Sequence, residues 1–212
     1  MVKMKAAIFV ESGRIVLDDK PVPDVGPLDA LMRVTTTTLC GTDLHILKGE
    51  YPVAKGLMIG HVPFGVIEKL GSAVKGYREG QRVIAGAITP SGWRNACLCG
   101  FCSQDGAGIA HGWKPMGGWK FGNTIVGCQA EYLLVPDAMA NLAPVPDELT
   151  DEQVLMCPGG KERMRRLMPM IEAKRVDLGA MVTRRFKLDD ISAAYEFFSH
   201  QRDGVLKVAI TP

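Results

Sequence analysis

The segment from Phe64 to Ala85 constrains the fold more strongly than any other stretch. Two apolar runs, "FGVIEKL" and "RVIA", are separated by Gly71, Gly76 and Gly80. Runs of this kind, bounded by glycines, are typical of strands joined by turns. The 24 glycines and 13 prolines among 212 residues extend this prediction to the rest of the chain. Such usage favours turn-rich β structure over a helical bundle.

Other segments carry the same β pattern or a helical one. Helices are predicted over "LDDISAAYEFFSH" and after Gly160, where Met164, Leu167, Met168 and Ile171 form an apolar stripe. Residues 88–125 are glycine-rich, contain all three tryptophans and predict a long irregular lobe. Further strands are predicted over "KAAIFVES", "RIVLDDKPVP", "DALMRVTTTTLC", "CQAEYLLVP", "GAMVTRRF" and "GVLKVAIT".

Charge and hydropathy argue against two classes of partner. The net charge is +2 and there is no basic arm, so nucleic acid is not an expected partner. No run of 18 apolar residues occurs, so we expect no membrane span. The N-terminal apolar stretch is too short for a secretory signal, which favours a cytoplasmic protein with six reduced cysteines over a secreted protein with disulfides.

The pair Gly159-Gly160 divides the chain. Residues 1–158 predict a β-rich barrel, and residues 161–212 predict β and α elements that dock on it. Lys161, Arg163 and Arg165 crowd the start of the helix that follows, where cations oppose the helix dipole. This junction is unusual for a natural helix.

Cys40 and His61 are the first candidate metal ligands. Zinc sites in proteins are commonly assembled from thiolate and imidazole donors. The two residues are 21 positions apart, and taken alone they fit a buried cysteine and a core histidine better than a metal site.

Longer motifs around this pair favour the metal site. "CGTDLH" and "GHVPFGVIEKLGSAVKGYREGQRV" together resemble the zinc-dependent medium-chain alcohol dehydrogenases, in their GroES-like catalytic domain. "AITPSGW", "GWKFGN" and "CQAEYLLVPDAMANLAPVPDELTDEQ" are similar to the secondary-alcohol dehydrogenase branch, and "RRFKLDDISAAYEFF" resembles the tail of those enzymes. The resemblance implies a mainly β fold with helices: a GroES-like β-barrel completed by a docked C-terminal β/α segment.

The resemblance also implies site roles. Cys40 and His61 take the positions of two catalytic zinc ligands. Thr42 takes that of a hydroxyl that passes on the substrate's proton, and His45 continues the relay towards solvent. Asp43 matches a carboxylate that fixes the metal-bound imidazole.

Three positions depart from the family pattern. Val62 replaces a glutamate, Gly159 replaces the aspartate that supplies a third ligand, and Arg184 replaces a histidine. Cys157 is close in sequence to the lost aspartate, and we hypothesise that it serves as a ligand instead; water is the alternative. We expect Val62 together with Phe64 and Trp93 to line the metal pocket.

The family's nucleotide-binding domain has no counterpart in the sequence. No G-x-G-x-x-G fingerprint occurs, and Gly159-Gly160 stands where a domain of roughly 100–150 residues would be inserted. We therefore predict that NAD(P) does not bind, and that the chain is an engineered truncation in which 159–160 is a linker. A natural short relative with a glycine-rich loop is the alternative.

A second cysteine group, Cys97, Cys99 and Cys102, lies where many family members hold a structural zinc. The spacing departs from that site, no fourth cysteine follows nearby, and His111 is the only further donor. We expect free thiols here.

Three functions remain open. Zinc could act as a Lewis acid or in hydrolysis; the chain could be an alcohol and ketone oxidoreductase that is inactive without its NAD(P) domain; or it could be a non-catalytic folding module. The expected partner is a small-molecule carbonyl, alcohol or ester. Self-association is expected through the face that the missing domain would cover.

Overall fold

The structure is a computed structural model that describes residues 2–105, 119–157, 159–200 and 203–212. In this part of the chain the strands form a three-stranded sheet and a seven-stranded sheet. The small sheet contains β1 (Lys3–Glu11), β2 (Arg14–Pro21) and β4 (Leu57–Met58). The large sheet contains β3 (Ala30–Leu39), β5 (Phe64–Leu70), β6 (Arg82–Ala85), β7 (Tyr132–Val135), β8 (Leu142–Pro144), β9 (Val182–Lys187) and β10 (Lys207–Thr211).

Helices connect these strands. The two longest are α5 (Lys161–Glu172) and α6 (Ile191–Ser199). The short ones are α1 (Gly41–Leu47), α2 (Asn95–Leu98), α3 (Ala138–Asn141) and α4 (Asp151–Val154), and one-turn 3-10 helices occur at Cys102–Gln104, Gly179–Met181 and Leu188–Asp190. Each predicted strand and both predicted helices have a counterpart among these elements. The sequence did not predict α1, which follows Cys40 directly.

Strand β3 is the centre of the large sheet. It pairs with β5 and β7 along its first half and with β10 at its end, where Leu39 lies opposite Val208. β-branched residues fill the middle of this strand, and nearly all of its side chains are buried. The pairing with β10 therefore holds the end of β3 just before Cys40.

The C-terminal segment is part of this sheet. β10 pairs antiparallel with β3, and β9 pairs parallel with β10. Helix α6 places Ile191, Ala194, Tyr195 and Phe198 in one buried cluster with residues of β1, β3 and α1. The segment after the junction thus completes the core around the end of β3.

Helix α5 docks through the apolar stripe that its sequence predicts. Met164, Met168 and Ile171 are buried in a cluster that also contains Cys157 and Phe64. The junction itself packs tightly, since a Cβ atom added to Gly86 would lie 1.8 Å from the carbonyl oxygen of Gly159. Among the described residues, none of the helices has the length and apolar character needed to cross a membrane.

Candidate functional site

Cys40 lies where β3 ends and α1 begins. Its backbone is extended (φ −117°, ψ 157°), and the chain turns into the helix at the next residue. The backbone N–H of Cys40 donates to Oδ2 of Asp43 at 2.8 Å, which caps the first turn. The half-buried Cys40 side chain and the fully buried Asp43 carboxylate are thereby fixed relative to each other.

His61 reaches the same place from a loop that depends on a glycine. Gly60 has φ +97°, a conformation that side chains disfavour, and an added Cβ would lie 2.6 Å from Cγ of Gln129 and 2.8 Å from its backbone nitrogen. Only glycine fits this close approach. The His61 ring is buried, with Nδ1 at 3.5 Å from Oδ1 of Asp43.

Charge couples these three residues. Burial lowers the pKa of His61, but the charge of Asp43 and contact with Cys40 outweigh it and raise the pKa to about 10. Burial raises the pKa of Cys40, but interaction with His61 and the backbone at Thr42 outweigh it and lower the pKa to about 7. The thiolate, which is the form that binds metals, is favoured at Cys40.

Thr42 and His45 take different positions. The Cys40 thiol donates to Oγ1 of Thr42 at 3.8 Å, so this hydroxyl belongs to the cluster. The His45 ring is about half exposed and pairs through Nδ1 with Glu50 at the surface. It does not contact Cys40 through any hydrogen bond found among the described residues.

A series of aromatic rings connects His45 with His61. Ring centroids are 5.3 Å apart for His45 and Tyr51, 6.3 Å for Tyr51 and Trp119, and 5.5 Å for Trp119 and His61. Trp119 is buried, and its Nε1 donates to the carbonyl oxygen of Phe121 at 2.6 Å. These rings form an apolar wall beside the imidazole.

Gln129 and Tyr195 lie next to the loop that carries His61. The Tyr195 hydroxyl donates to Oε1 of Gln129 at 2.9 Å, and both side chains are buried. Gln129 in turn packs against Gly60. Sequence analysis missed both residues, because nothing in a local pattern signals a hydrogen bond between positions 66 residues apart.

Among the described residues, Cys157 does not form a metal-binding group with Cys40 and His61. Cys157 is buried in the apolar cluster of α5, and burial raises the pKa of its thiol to about 11, which disfavours the metal-binding thiolate. Val62 and Phe64 are buried in that same cluster. Trp93 is 62% exposed on a different cavity.

Arg184, the third departure from the family pattern, makes structural contacts. Arg184 donates to the carbonyl oxygens of Thr183 and Asp203 and lies over the Phe197 ring. Cys97, Cys99 and Cys102 form no disulfide in the described part of the chain, and that they bind no metal stays a prediction. Burial, together with the negative charges of Asp105 and Cys102, raises the pKa of Cys97 to about 11. His111 lies outside the described residues.

The cluster fits a zinc ion through two protein donors. Cys40 and His61 supply a thiolate and an imidazole, and the otherwise unpaired Oδ1 of Asp43 lies behind the imidazole, as an orienting carboxylate does in zinc sites. No set of three or more His, Cys, Asp or Glu side chains in the described part of the chain could hold a metal. Water or substrate would therefore occupy the remaining positions.

Comparison with known proteins places this geometry in a family. Residues 26–147, more than half of the chain, match the alcohol dehydrogenase GroES-like domain. An alcohol dehydrogenase of Cupriavidus necator is 41% identical over 361 positions, which cover 99% of each protein. The NADP-dependent isopropanol dehydrogenase of Thermoanaerobacter brockii is 31% identical over 84% of this chain and 48% of the relative.

The fold has solved counterparts. The cobalt- and zinc-bound thermostable alcohol dehydrogenase of Pyrobaculum aerophilum aligns with a TM-score of 0.81 at 15% identity, over 100% of both chains. This confirms the predicted GroES-like fold class. The 361 positions shared with the Cupriavidus protein exceed the 212 residues of this chain, so that relative has residues where this chain has none. The chain belongs to the zinc-dependent alcohol dehydrogenase family, of which it carries the GroES-like domain.

Proposed function

We propose that this protein is a zinc-dependent Lewis-acid catalyst that acts on activated carbonyl compounds, with hydrolysis of activated esters as its reaction. One observation carries the proposal: Cys40, His61 and Asp43 lie together at the end of β3, with the hydroxyl of Thr42 beside the thiol. The zinc-bound relative from Pyrobaculum aerophilum supports the choice of metal.

The metal would be held by Cys40 and His61. A zinc ion bound there supplies an electrophile for a carbonyl oxygen, or acidity for water, without any hydride carrier. Two protein donors leave more open positions than the three of an ordinary catalytic site, so we expect lower affinity and easy access for substrate.

The chain's own residues orient the His61 ligand and place a hydroxyl beside the Cys40 ligand. The Asp43 carboxylate holds the His61 ring by its Nδ1 side, which leaves the other ring nitrogen for the metal. The Thr42 hydroxyl is beside the Cys40 sulfur and can donate a hydrogen bond to an oxygen of the substrate. Trp119 packs against one side of the His61 ring and excludes water there, and Tyr51 packs against Trp119.

Hydride transfer is the weaker candidate. The Thermoanaerobacter relative is named as NADP-dependent, but this chain carries no Gly-rich fingerprint and NAD(P) is not expected to bind. The length difference from the Cupriavidus relative supports a deleted nucleotide domain, with Gly159-Gly160 at the deletion point and residues 1–158 and 161–212 as the parts it joins. We propose that the deletion was engineered.

The test is ester hydrolysis in a chelation and restoration series. Purified protein is assayed on p-nitrophenyl acetate as isolated, after treatment with dipicolinate, and after zinc is added back. Cys40→Ser removes a proposed ligand, and Cys99→Ser is the matched control because Cys99 is an exposed thiol remote from the site in sequence. We expect the rate to fall on chelation and to return with zinc. Of the two variants, only Cys40→Ser should be slower.

If neither chelation nor either substitution changes the rate, the proposed function is wrong, and the chain is better described as a non-catalytic module. Loss of rate in Cys40→Ser without any zinc dependence would point to a thiol nucleophile instead. The same samples are assayed with 2-propanol and NADP. Oxidation of 2-propanol would favour the oxidoreductase.

A further inference from the structure

A cavity lies between residues 88–103 and the start of α5. Its volume is about 1010 Å³, and none of Cys40, Thr42, Asp43 and His61 lines it. Residues 88–103, Leu28 and Met139 line one part of it, and the junction and the first turns of α5 line the other. We call it the junction cavity, defined by Leu28, Trp93, Met139, Gly160, Arg163 and Arg165.

The helical wall is cationic. Lys161, Arg163, Arg165 and Arg166 line it, against the two carboxylates of Asp137 and Glu162. Arg166 pairs with Glu162, and Lys161 donates to the carbonyl oxygen of Met139. Arg163 and Arg165 have no carboxylate partner within the described ranges. Two guanidinium groups beside the cavity thus lack a counter-ion.

The start of α5 adds to this positive potential. Its cap residue is Gly160, which has no side chain to accept from the first N–H groups. The backbone N–H groups of Lys161 and Glu162 have no acceptor in the described part of the chain, and the space where a Gly160 Cβ would lie is open to 4 Å. The positive end of a twelve-residue helix therefore borders the cavity.

Large apolar side chains also line the cavity and are accessible. Trp93 is 62% exposed, Leu28 42% and Met139 39%, and all three line the cavity. Large apolar side chains left this exposed beside a pocket are typical of binding sites. The Arg94 guanidinium lies 5.0 Å from the centroid of the Trp93 ring, so this apolar surface also adjoins a positive charge, which suits a flat ligand with a negative charge.

We propose that the junction cavity binds a small organic anion with a flat apolar body: the body packs on Trp93, Leu28 and Met139, and the anionic group lies between Arg163, Arg165 and the N-terminus of α5. Arg163 is well placed for this role, because its Cβ and Cδ lie 3.5 Å from the Cβ position of Gly159 and its stem therefore runs along the junction. The site is independent of the proposed zinc centre.

The test uses 1-naphthalenesulfonate as the probe and neutral 1-naphthalenemethanol as its uncharged analogue, in calorimetric titrations of the whole protein. The double variant Arg163→Gln/Arg165→Gln removes both unpaired guanidinium groups. Arg175→Gln is the control, since this exposed arginine follows the far end of α5 and does not line the cavity. Trp93→Ala removes the apolar contact.

We expect saturable binding of the sulfonate that weakens by about tenfold or more in the double variant, a loss of about 1.4 kcal/mol, and weakens with added salt. Arg175→Gln should leave the affinity within about twofold, and Trp93→Ala should weaken binding of both compounds. Circular dichroism verifies that each variant is folded.

Three results would overturn the proposal. These are the absence of saturable binding, equal affinity for the sulfonate and the alcohol, and equal affinity in the double variant and the wild type. Binding that appears only at protein concentrations where sedimentation shows association would also overturn it, because the apolar wall would then belong to a contact between copies.

Discussion

The carboxylate of Asp43 contacts the backbone of Cys40 and the ring of His61 at the same time. Oδ2 accepts from the Cys40 N–H at 2.8 Å, and Oδ1 lies 3.5 Å from Nδ1 of His61. The second distance exceeds that of an ordinary hydrogen bond, so the contact is mainly an ionic one. Through this residue the helix cap and the imidazole are held in one arrangement.

Asp43→Asn should keep the cap and lose the charge. The amide oxygen can still accept from the Cys40 N–H, whereas the ionic contact with His61 disappears. We expect zinc affinity, measured by competition with a chromophoric chelator, to fall by about 10- to 100-fold. Asp19→Asn, at an exposed pair with Lys3, is the control. Equal affinity in both variants would show that Asp43 does not orient the ligand.

From the packing of the junction we predict that alanine destabilises the protein at Gly86 but not at Gly41. An alanine methyl at position 86 would meet the Gly159 carbonyl oxygen at 1.8 Å, while at Gly41 nothing lies within 4 Å. We expect Gly86→Ala to lower the free energy of unfolding by about 1–3 kcal/mol, since backbone must move to accommodate it. Gly41→Ala should cause no loss. Urea unfolding measures the free energy of unfolding of both variants. If Gly86→Ala is as stable as the wild type, the junction does not pack against the end of β6.

Tyr195 connects the C-terminal segment to the site loop. Tyr195→Phe would leave Oε1 of Gln129 buried without its donor, and Nε2 of Gln129 already lacks a partner among the described residues. We expect a loss of about 1–3 kcal/mol in urea unfolding. Tyr132→Phe, on β7, is the control and should be near neutral. Similar losses in the two variants would count against a specific role for the hydroxyl.

Asp151 joins α4 to the large sheet. Its Oδ2 accepts from Thr35 at 2.8 Å and Thr36 at 3.2 Å, and its Oδ1 accepts from Arg82 at 2.9 Å. Asp151→Ala should cost about 1.5–3 kcal/mol, because a charged hydrogen bond is lost from a partly buried place. Glu68→Ala breaks an exposed pair with Arg33 and should cost less than about 1 kcal/mol. If thermal unfolding ranks the two variants in the opposite order, the Asp151 contacts are not stabilising.

Much of the fold could be predicted because its signals are local. Alternating apolar residues and glycine turns specify β5 and β6, and the stripe that begins at Met164 specifies α5. The pairing of β10 with β3 depends on contacts about 170 residues apart, which no local pattern encodes. The sequence predicted that the C-terminal segment docks on the barrel, but it did not predict this pairing.

The site was predicted less completely. The resemblance to a family identified Cys40, His61 and Asp43, because the motifs that carry it are continuous in the sequence. The direction in which a buried side chain points leaves no such pattern in the sequence. Cys157 was therefore hypothesised as a ligand, whereas it packs beside Met164 and Met168, and Trp93 was expected at the metal pocket, whereas it lines the junction cavity.

The account depends most on the claim that Cys40 and His61 hold zinc. Plasma mass spectrometry of protein incubated with zinc and then desalted tests this claim directly, on the wild type, Cys40→Ser and the control Cys99→Ser. We predict about one zinc per chain in the wild type and in Cys99→Ser, and none in Cys40→Ser. A Cys40→Ser protein that keeps one zinc per chain, or a wild type that takes up none, would contradict the assignment.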